Sequence, residues 1–94
     1  MTGKFKFIVY LYPNAQGQAL GPEGWNKIFA KEDELAEKYG VSVLFRGSPY
    51  GVSESLVTVY ESDKYIDNLA SFIGETGRDR YIAAARTVTV LPYP

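Results

Sequence analysis

The chain has no cysteine and no histidine among its 94 residues. Without a thiol there is no disulfide, no cysteine nucleophile and no thiolate metal ligand. Without imidazole there is no histidine-based acid–base catalysis, no zinc site of the Cys/His kind and no haem held by a proximal histidine. Any chemistry has to run on carboxylates, tyrosines, arginines or lysines. Hard cations could still be held by Asp and Glu, but no alternating run of carboxylates of the EF-hand kind occurs. Phosphate-loop and GxGxxG patterns are missing too. The expectation is a protein with no metal and no cofactor.

Long apolar runs and an excess of one charge are also absent. No segment approaches the ~18 apolar residues that a membrane span needs. The stretch Phe7 to Tyr12 is too short for the core of a signal peptide, so the expected compartment is the cytoplasm, which the lack of cysteine fits. Ten basic residues stand against eleven acidic ones. A nucleic-acid binder normally carries a basic excess to neutralise phosphates, so neither nucleic acid nor membrane is expected as a partner. What is present is ordinary for a globular chain: a hydrophobic fraction of 46% argues against disorder. Residues 1–94 read as a single domain, one that buries about two thirds of its unfolded surface.

Periodicity divides the chain into strand, helix, strand, strand, helix, strand. The first strand alternates, with Phe5, Phe7, Val9 and Leu11 on one face and Lys6, Ile8, Tyr10 and Tyr12 on the other. A Gly/Pro-punctuated loop leads to a helix starting near Pro22, with Glu23 at the positive end of its dipole. Trp25, Ile28, Phe29, Glu32, Leu35, Ala36 and Tyr39 form its apolar stripe, with Glu32 the one polar member, expected at the margin. Gly40 suits a left-handed stop. Strand two, Val41 to Arg46, places Val41, Val43 and Phe45 on one face and Ser42, Leu44 and Arg46 on the other. Strand three sets Val57 and Val59 against Leu56, Thr58 and Tyr60. The second helix starts at Ser62 as N-cap, buries Tyr65, Ile66, Leu69, Phe72 and Ile73, and stops at Gly74. Strand four is expected over Thr87 to Leu91. Glu75 to Arg86 is ambiguous, with a short helical turn over Arg80 to Ala85 as one reading.

This order is the split βαβ pattern. The expected class is α+β: a ferredoxin-like βαββαβ sandwich, its four-stranded antiparallel sheet in the order 4-1-3-2, with two helices on one face. The all-apolar sets belong under the helices. The opposite face mixes aliphatics with tyrosines, which is too apolar for a solvated surface and is the composition of a partner surface or pocket wall. In element order and amphiphilic second face, nearly the whole chain resembles the dimeric α+β-barrel superfamily. That resemblance implies two protomers packed sheet on sheet, often around a pocket. The group includes small monooxygenases, isomerases and decarboxylases, although the histidines that several enzymatic branches use are absent here.

The expected partner is therefore a second copy, as a homodimer or a dimer of dimers, meeting through Ile8, Tyr10, Leu44, Leu56 and Thr58. The ends of strands one and three, taken here to run parallel with strand four antiparallel to them, bring Tyr10, Tyr12 and Tyr60 together with Arg86. Both helix starts are expected at the same edge, favouring a small anionic or aromatic ligand. The competing reading, and the stronger one, is that these tyrosines simply pack in the dimer interface. The loop Arg46-Gly47-Ser48-Pro49-Tyr50-Gly51 has turn chemistry rather than a specific anion-binding pattern. A metal-free, haem-free small enzyme is the alternative function. RNA binding through Tyr10 and Tyr60 as stacking residues is less favoured, because Leu56 to Glu61 lacks the Lys/Arg-Gly-aromatic motif.

Overall fold

The computed structural model describes residues 5–64 and 66–92. Strand β1 is Phe5–Pro13, followed by helices α1 (Ala15–Ala19) and α2 (Gly21–Lys38). Strands β2 (Val41–Gly47) and β3 (Leu56–Ser62) form the hairpin-like return. Helix α3 (Ile66–Thr76), a 3-10 turn at Arg78–Tyr81 and strand β4 (Ile82–Val90) complete the fold. The sheet order is β2-β3-β1-β4 with every neighbouring pair antiparallel, which is the expected 4-1-3-2 counted from the other edge.

The helical layer has one more helix than expected. Asn14 accepts a hydrogen bond from the Gly17 amide at 2.8 Å, and this cap turns the loop before Pro22 into α1. Gly21, at φ 64, then redirects the chain into α2. Gly40, at φ 67, ends α2 in the left-handed conformation as expected. At α3 the expectation needs correcting. Ser62 ends β3 instead of capping the helix, and its hydroxyl accepts from the Lys64 amide. The helix runs through Gly74, and the left-handed residue is Gly77. Strand four begins at Ile82, so the helical turn lies before it and not over Arg80 to Ala85. Tyr65 and the Ile66 side chain lie outside the described residues.

The inward face of β1 is as expected: Phe7, Val9 and Leu11 are buried under the helices with Leu69, Phe72, Ala36 and Val41. Strands β3 and β2 face differently. In β3 it is Thr58, Tyr60 and Ser62 that are buried, opposite Val9, Phe7 and Phe5, while Val57 and Val59 lie on the open face. In β2 a bulge at Leu44 shifts the register between Val43 and Phe45. Val43 pairs with Tyr60 and packs on the core, but Phe45 pairs with Val59 on the open face and Arg46 with Thr58 on the inner one. The one-residue insertion exchanges the expected sides of Phe45 and Arg46.

A buried ionic cluster accounts for both changes. Glu32, fully buried at the centre of the α2 stripe rather than at its margin, receives Arg78 Nη1 at 2.8 Å and Arg46 Nη2 at 3.1 Å. Tyr60 donates its hydroxyl to Glu32 at 2.8 Å and accepts from Arg78 at 2.6 Å. Asp33 takes a second hydrogen bond from Arg46, whose guanidinium lies 4.5 Å from the Phe29 ring centre. Glu32 and Arg78 form the buried pair, and Arg46 with the exposed Asp33 extends it to the surface, so two carboxylates and two guanidiniums balance across the network. Burial works against the Arg46 charge, but hydrogen bonds to Asp33 and Glu32 outweigh it and hold the guanidinium above its ordinary range. Tyr60 completes the packing edge-on to Phe72, with ring centres 5.7 Å apart.

Removing one partner of such a cluster strands the others. Arg78→Met should destabilise the fold by about 3 kcal/mol or more in urea unfolding, because Glu32 keeps its burial and loses its principal cation. A loss below about 1 kcal/mol would mean that the cluster does not hold the helix to the sheet.

Candidate functional site

Tyr60 and Glu32 are sealed from solvent, so the polar centre of the core meets no substrate. Burial pushes the Tyr60 hydroxyl far up from its usual range, and it stays a protonated donor to Glu32. Its role is structural. The surface left without a covering element is the other face of the sheet, and its pattern is set by the strand register.

Phe45, Val59, Ile8 and Val88 are consecutive cross-strand partners, making one apolar row across all four strands. Phe45 is 62% exposed and Val88 42%. On one side lies the row Ser42, Glu61, Lys6 and Val90, in which Lys6 pairs with Glu61 at 3.1 Å. On the other lies Gly47, Val57, Tyr10 and Arg86. The face is thus an apolar band between two rows that carry charge, the layout of an interface with a dry centre and a polar rim.

At the Tyr10 edge, Arg86 donates from Nε and Nη2 to both carboxylate oxygens of Glu54, and its guanidinium lies 4.2 Å from the Tyr10 ring centre. Tyr12 follows on the same face, opposite Ala84 and 45% exposed. Three of the four expected ligand residues, Tyr10, Tyr12 and Arg86, therefore share one edge. Tyr60 does not join them. Because β1 and β3 run antiparallel, the end of β3 lies at the opposite edge, and Tyr60 also points to the other side of the sheet. The α2 start follows the β1 end, whereas α3 starts beyond the far end of β3, so only one helix start serves this edge. With Tyr10 and Tyr60 on opposite faces, the paired stacking platform weighed for RNA is not formed.

Of the expected interface residues, Ile8 and Tyr10 lie on the open face and Leu44 is exposed at the bulge. Leu56 and Thr58 are on the inner side, Leu56 packed on the core opposite Leu11 and Thr58 fully buried. Phe45, Val59 and Val88 occupy the open face instead. Strict alternation carried through the β2 bulge puts Phe45 on the wrong side, whereas Val59 reads as core by hydropathy alone and Val88 is missed with a strand four begun too late. The available signal was Glu32: a lone carboxylate on an apolar stripe demands polar partners, and Arg46 and Tyr60 could supply them only from the inner face. In the Arg46 to Gly51 loop, Arg46 is committed to Glu32 and Asp33, and Gly51 at φ 80 shapes a turn with Tyr50 fully exposed. Among the described residues no group of three or more carboxylates is placed to hold a metal ion, and no helix is long and apolar enough to cross a membrane.

No family model matches this sequence, and no match among curated proteins reaches significance. Similarity appears in three dimensions. Chlorite dismutase from Candidatus Nitrospira defluvii, in complex with imidazole, superposes with a TM-score of 0.73 at 16% identity, over all of this chain and 42% of that one. The chain thus spans less than half the length of that enzyme. A dimeric ferredoxin-like protein of unknown function from Thermobifida fusca superposes with a TM-score of 0.66 at 12% identity, covering 98% of this chain and 93% of that one. A dimeric ferredoxin-like protein from an uncultured marine organism gives 0.59 at 8% identity, over 100% of this chain and 90% of that one. The fold is the ferredoxin-like α+β fold of these dimeric proteins.

The Arg86 guanidinium holds the Glu54 carboxyl below its ordinary range. Because the folded value lies below the unfolded one, the pair contributes above the usual glutamate value of about 4.3 and fades as pH falls through the folded value. Carboxyl-carbon NMR should show Glu54 titrating below the ordinary glutamate range, and rising toward that range in Arg86→Gln. An unchanged midpoint in that variant would contradict the pairing.

Proposed function

We propose that the protein works as a homodimer closed sheet on sheet, with a small-molecule pocket between the sheets at the Tyr10, Tyr12 and Arg86 edge. The observation that supports it is the apolar row Phe45, Val59, Ile8 and Val88, four aligned side chains that no element among the described residues covers. Two sheets facing one another pack about 10 Å apart, close enough for opposed rows to interdigitate and exclude water. The dimeric description of two proteins with this fold points the same way.

The pocket needs the partner, since one sheet supplies only one wall. That wall offers two phenol rings and a guanidinium plane, with hydroxyls for directional hydrogen bonds on an otherwise apolar surface. Arg86 already spends its fork on Glu54, so a carboxylate ligand would have to displace that residue. A flat aromatic or phenolic molecule is the better fit, able to stack on Tyr10 and Tyr12 and leave the ion pair in place.

Sedimentation at micromolar concentration should give a dimer. Phe45→Asp, at an exposed edge-strand position, should leave the monomer folded and weaken association by about 2 kcal/mol or more by burying an unpaired charge. A wild-type monomer at that concentration would remove the proposal. For the pocket, a fragment screen read by chemical shifts should show aromatic hits at Tyr10, Tyr12 and Arg86 in the dimer and none there in Phe45→Asp. Hits confined to residues 46 to 51 would put the ligand elsewhere.

A further inference from the structure

We infer that a second site, on the helical layer and independent of sheet pairing, binds a small multivalent oxyanion between α2 and the 3-10 turn. A hollow of about 380 Å³ is lined by Lys27, Lys31, Thr76, Arg80 and Tyr81 among others. A second, of about 520 Å³, shares Arg80 and Tyr81 and extends to Gln16. Both fall within the size range of small-ligand sites.

Among the described residues no carboxylate pairs with these charges, and the guanidinium of Arg80 rests only near the Tyr81 ring, 5.9 Å from its centre. Lys27 and Lys31 stand four residues apart on one helix face, a like-charge spacing that weakens a helix. Arg80 adds a third cation from another element. Among the described residues the ion pairs engage other cations: Lys6, Lys38, Arg46, Arg78 and Arg86. Glu23 and Glu34 are near enough in helical spacing to pair with these lysines, yet neither does so. Asp79, next to Arg80 in sequence, lines a different hollow with Leu69 and Ile73. The C-terminal end of α3 at Thr76 supplies only partial negative charge against three full positive ones. In a chain with net charge −1, a cluster of +3 without a carboxylate is a local bias and not a consequence of composition.

The cationic turn is also held in place before any ligand arrives. Asn14 donates from Nδ2 to the Arg80 carbonyl at 2.9 Å and from its amide to the Tyr81 carbonyl at 3.0 Å. A Cβ at Gly17 would fall 2.2 Å from the Tyr81 carbonyl oxygen, so glycine at this position lets α1 press on the turn. The Thr76 hydroxyl accepts from the Arg78 amide and fixes the turn's other end. Backbone order of this kind removes part of the entropy cost of binding. Arg80 can fork onto two oxygens of one anionic group while the lysines, as point charges, meet a second. Phosphate and carboxylate share this chemistry, and two probes separate them.

Calorimetric titration of the wild-type protein at low ionic strength should show saturable one-site binding of tripolyphosphate, citrate or both, the stronger one identifying the preferred group. Amide shifts should centre on Lys27, Lys31, Arg80 and Tyr81. Lys31→Gln and Arg80→Gln, both at exposed positions, should each weaken binding about tenfold, the scale of one charge-assisted contact. Lys64→Gln should bind as the wild type does, and so should Phe45→Asp, because the site does not rest on the dimer. Equal weakening in Lys64→Gln, shifts spread over all lysines, or binding of an acidic peptide with neither small anion would each overturn the inference.

Discussion

The buried carboxylate of Glu32 is the constraint from which the rest of the structure follows. A charge in the core of so small a domain has to be matched, and Glu32 is matched from three sides: by Arg78 after α3, by Arg46 on β2 and by the Tyr60 hydroxyl on β3. Each contact ties a different element to α2. The desolvation cost remains visible, since the Nε atoms of Arg46 and Arg78 and the Thr58 hydroxyl are buried without a hydrogen-bond partner. Such a cluster adds less to stability than a well-packed apolar core would, but it leaves little freedom in how the parts meet.

That choice of register has its functional consequence on the opposite side of the sheet. With Tyr60 and Thr58 turned inward, Val57 and Val59 must face outward, and with Arg46 turned inward across the Leu44 bulge, Phe45 must do the same. A polar interior and an apolar exterior are therefore two results of one pairing. In the proposed homodimer the exterior row meets a second copy, with the charged flanking rows at the rim of the contact. The tyrosine and arginine edge lies where such a contact would leave space, while the basic hollow on the helical layer remains open to solvent.

The sequence was informative wherever one principle acted alone. Alternation in β1 identified Phe7, Val9 and Leu11 as core; Gly40 ended α2; the order of elements was enough for the sheet order. It misled where two principles competed. Valine at 57 and 59 looks like core by hydropathy, but the carboxylate of Glu32 needed the tyrosine on the alternate side. The Leu44 bulge carries no local glycine or proline to announce it, and it reverses the two residues that matter most for the open face. Tyr10, Tyr12 and Arg86 share one edge because β4 begins at Ile82 and not at Thr87, which sets Arg86 directly opposite Tyr10. Tyr60 was wrongly grouped with them because antiparallel pairing sends the end of β3 to the far edge. The engagement of Arg86 by Glu54, from a connection with no regular period, could not be read from spacing at all.

The central claim is that the polar core presents the apolar row to a second protomer, and intermolecular contacts test it most directly. In an equimolar mixture of isotope-labelled and unlabelled chains, filtered NOE spectra report only contacts between copies. Cross-peaks should connect the methyl groups of Ile8, Val59 and Val88 and the ring of Phe45 to protons of the other chain. Cross-peaks arising instead from the outer surfaces of α2 or α3, or none at concentrations where the protein sediments as a dimer, would contradict the claim.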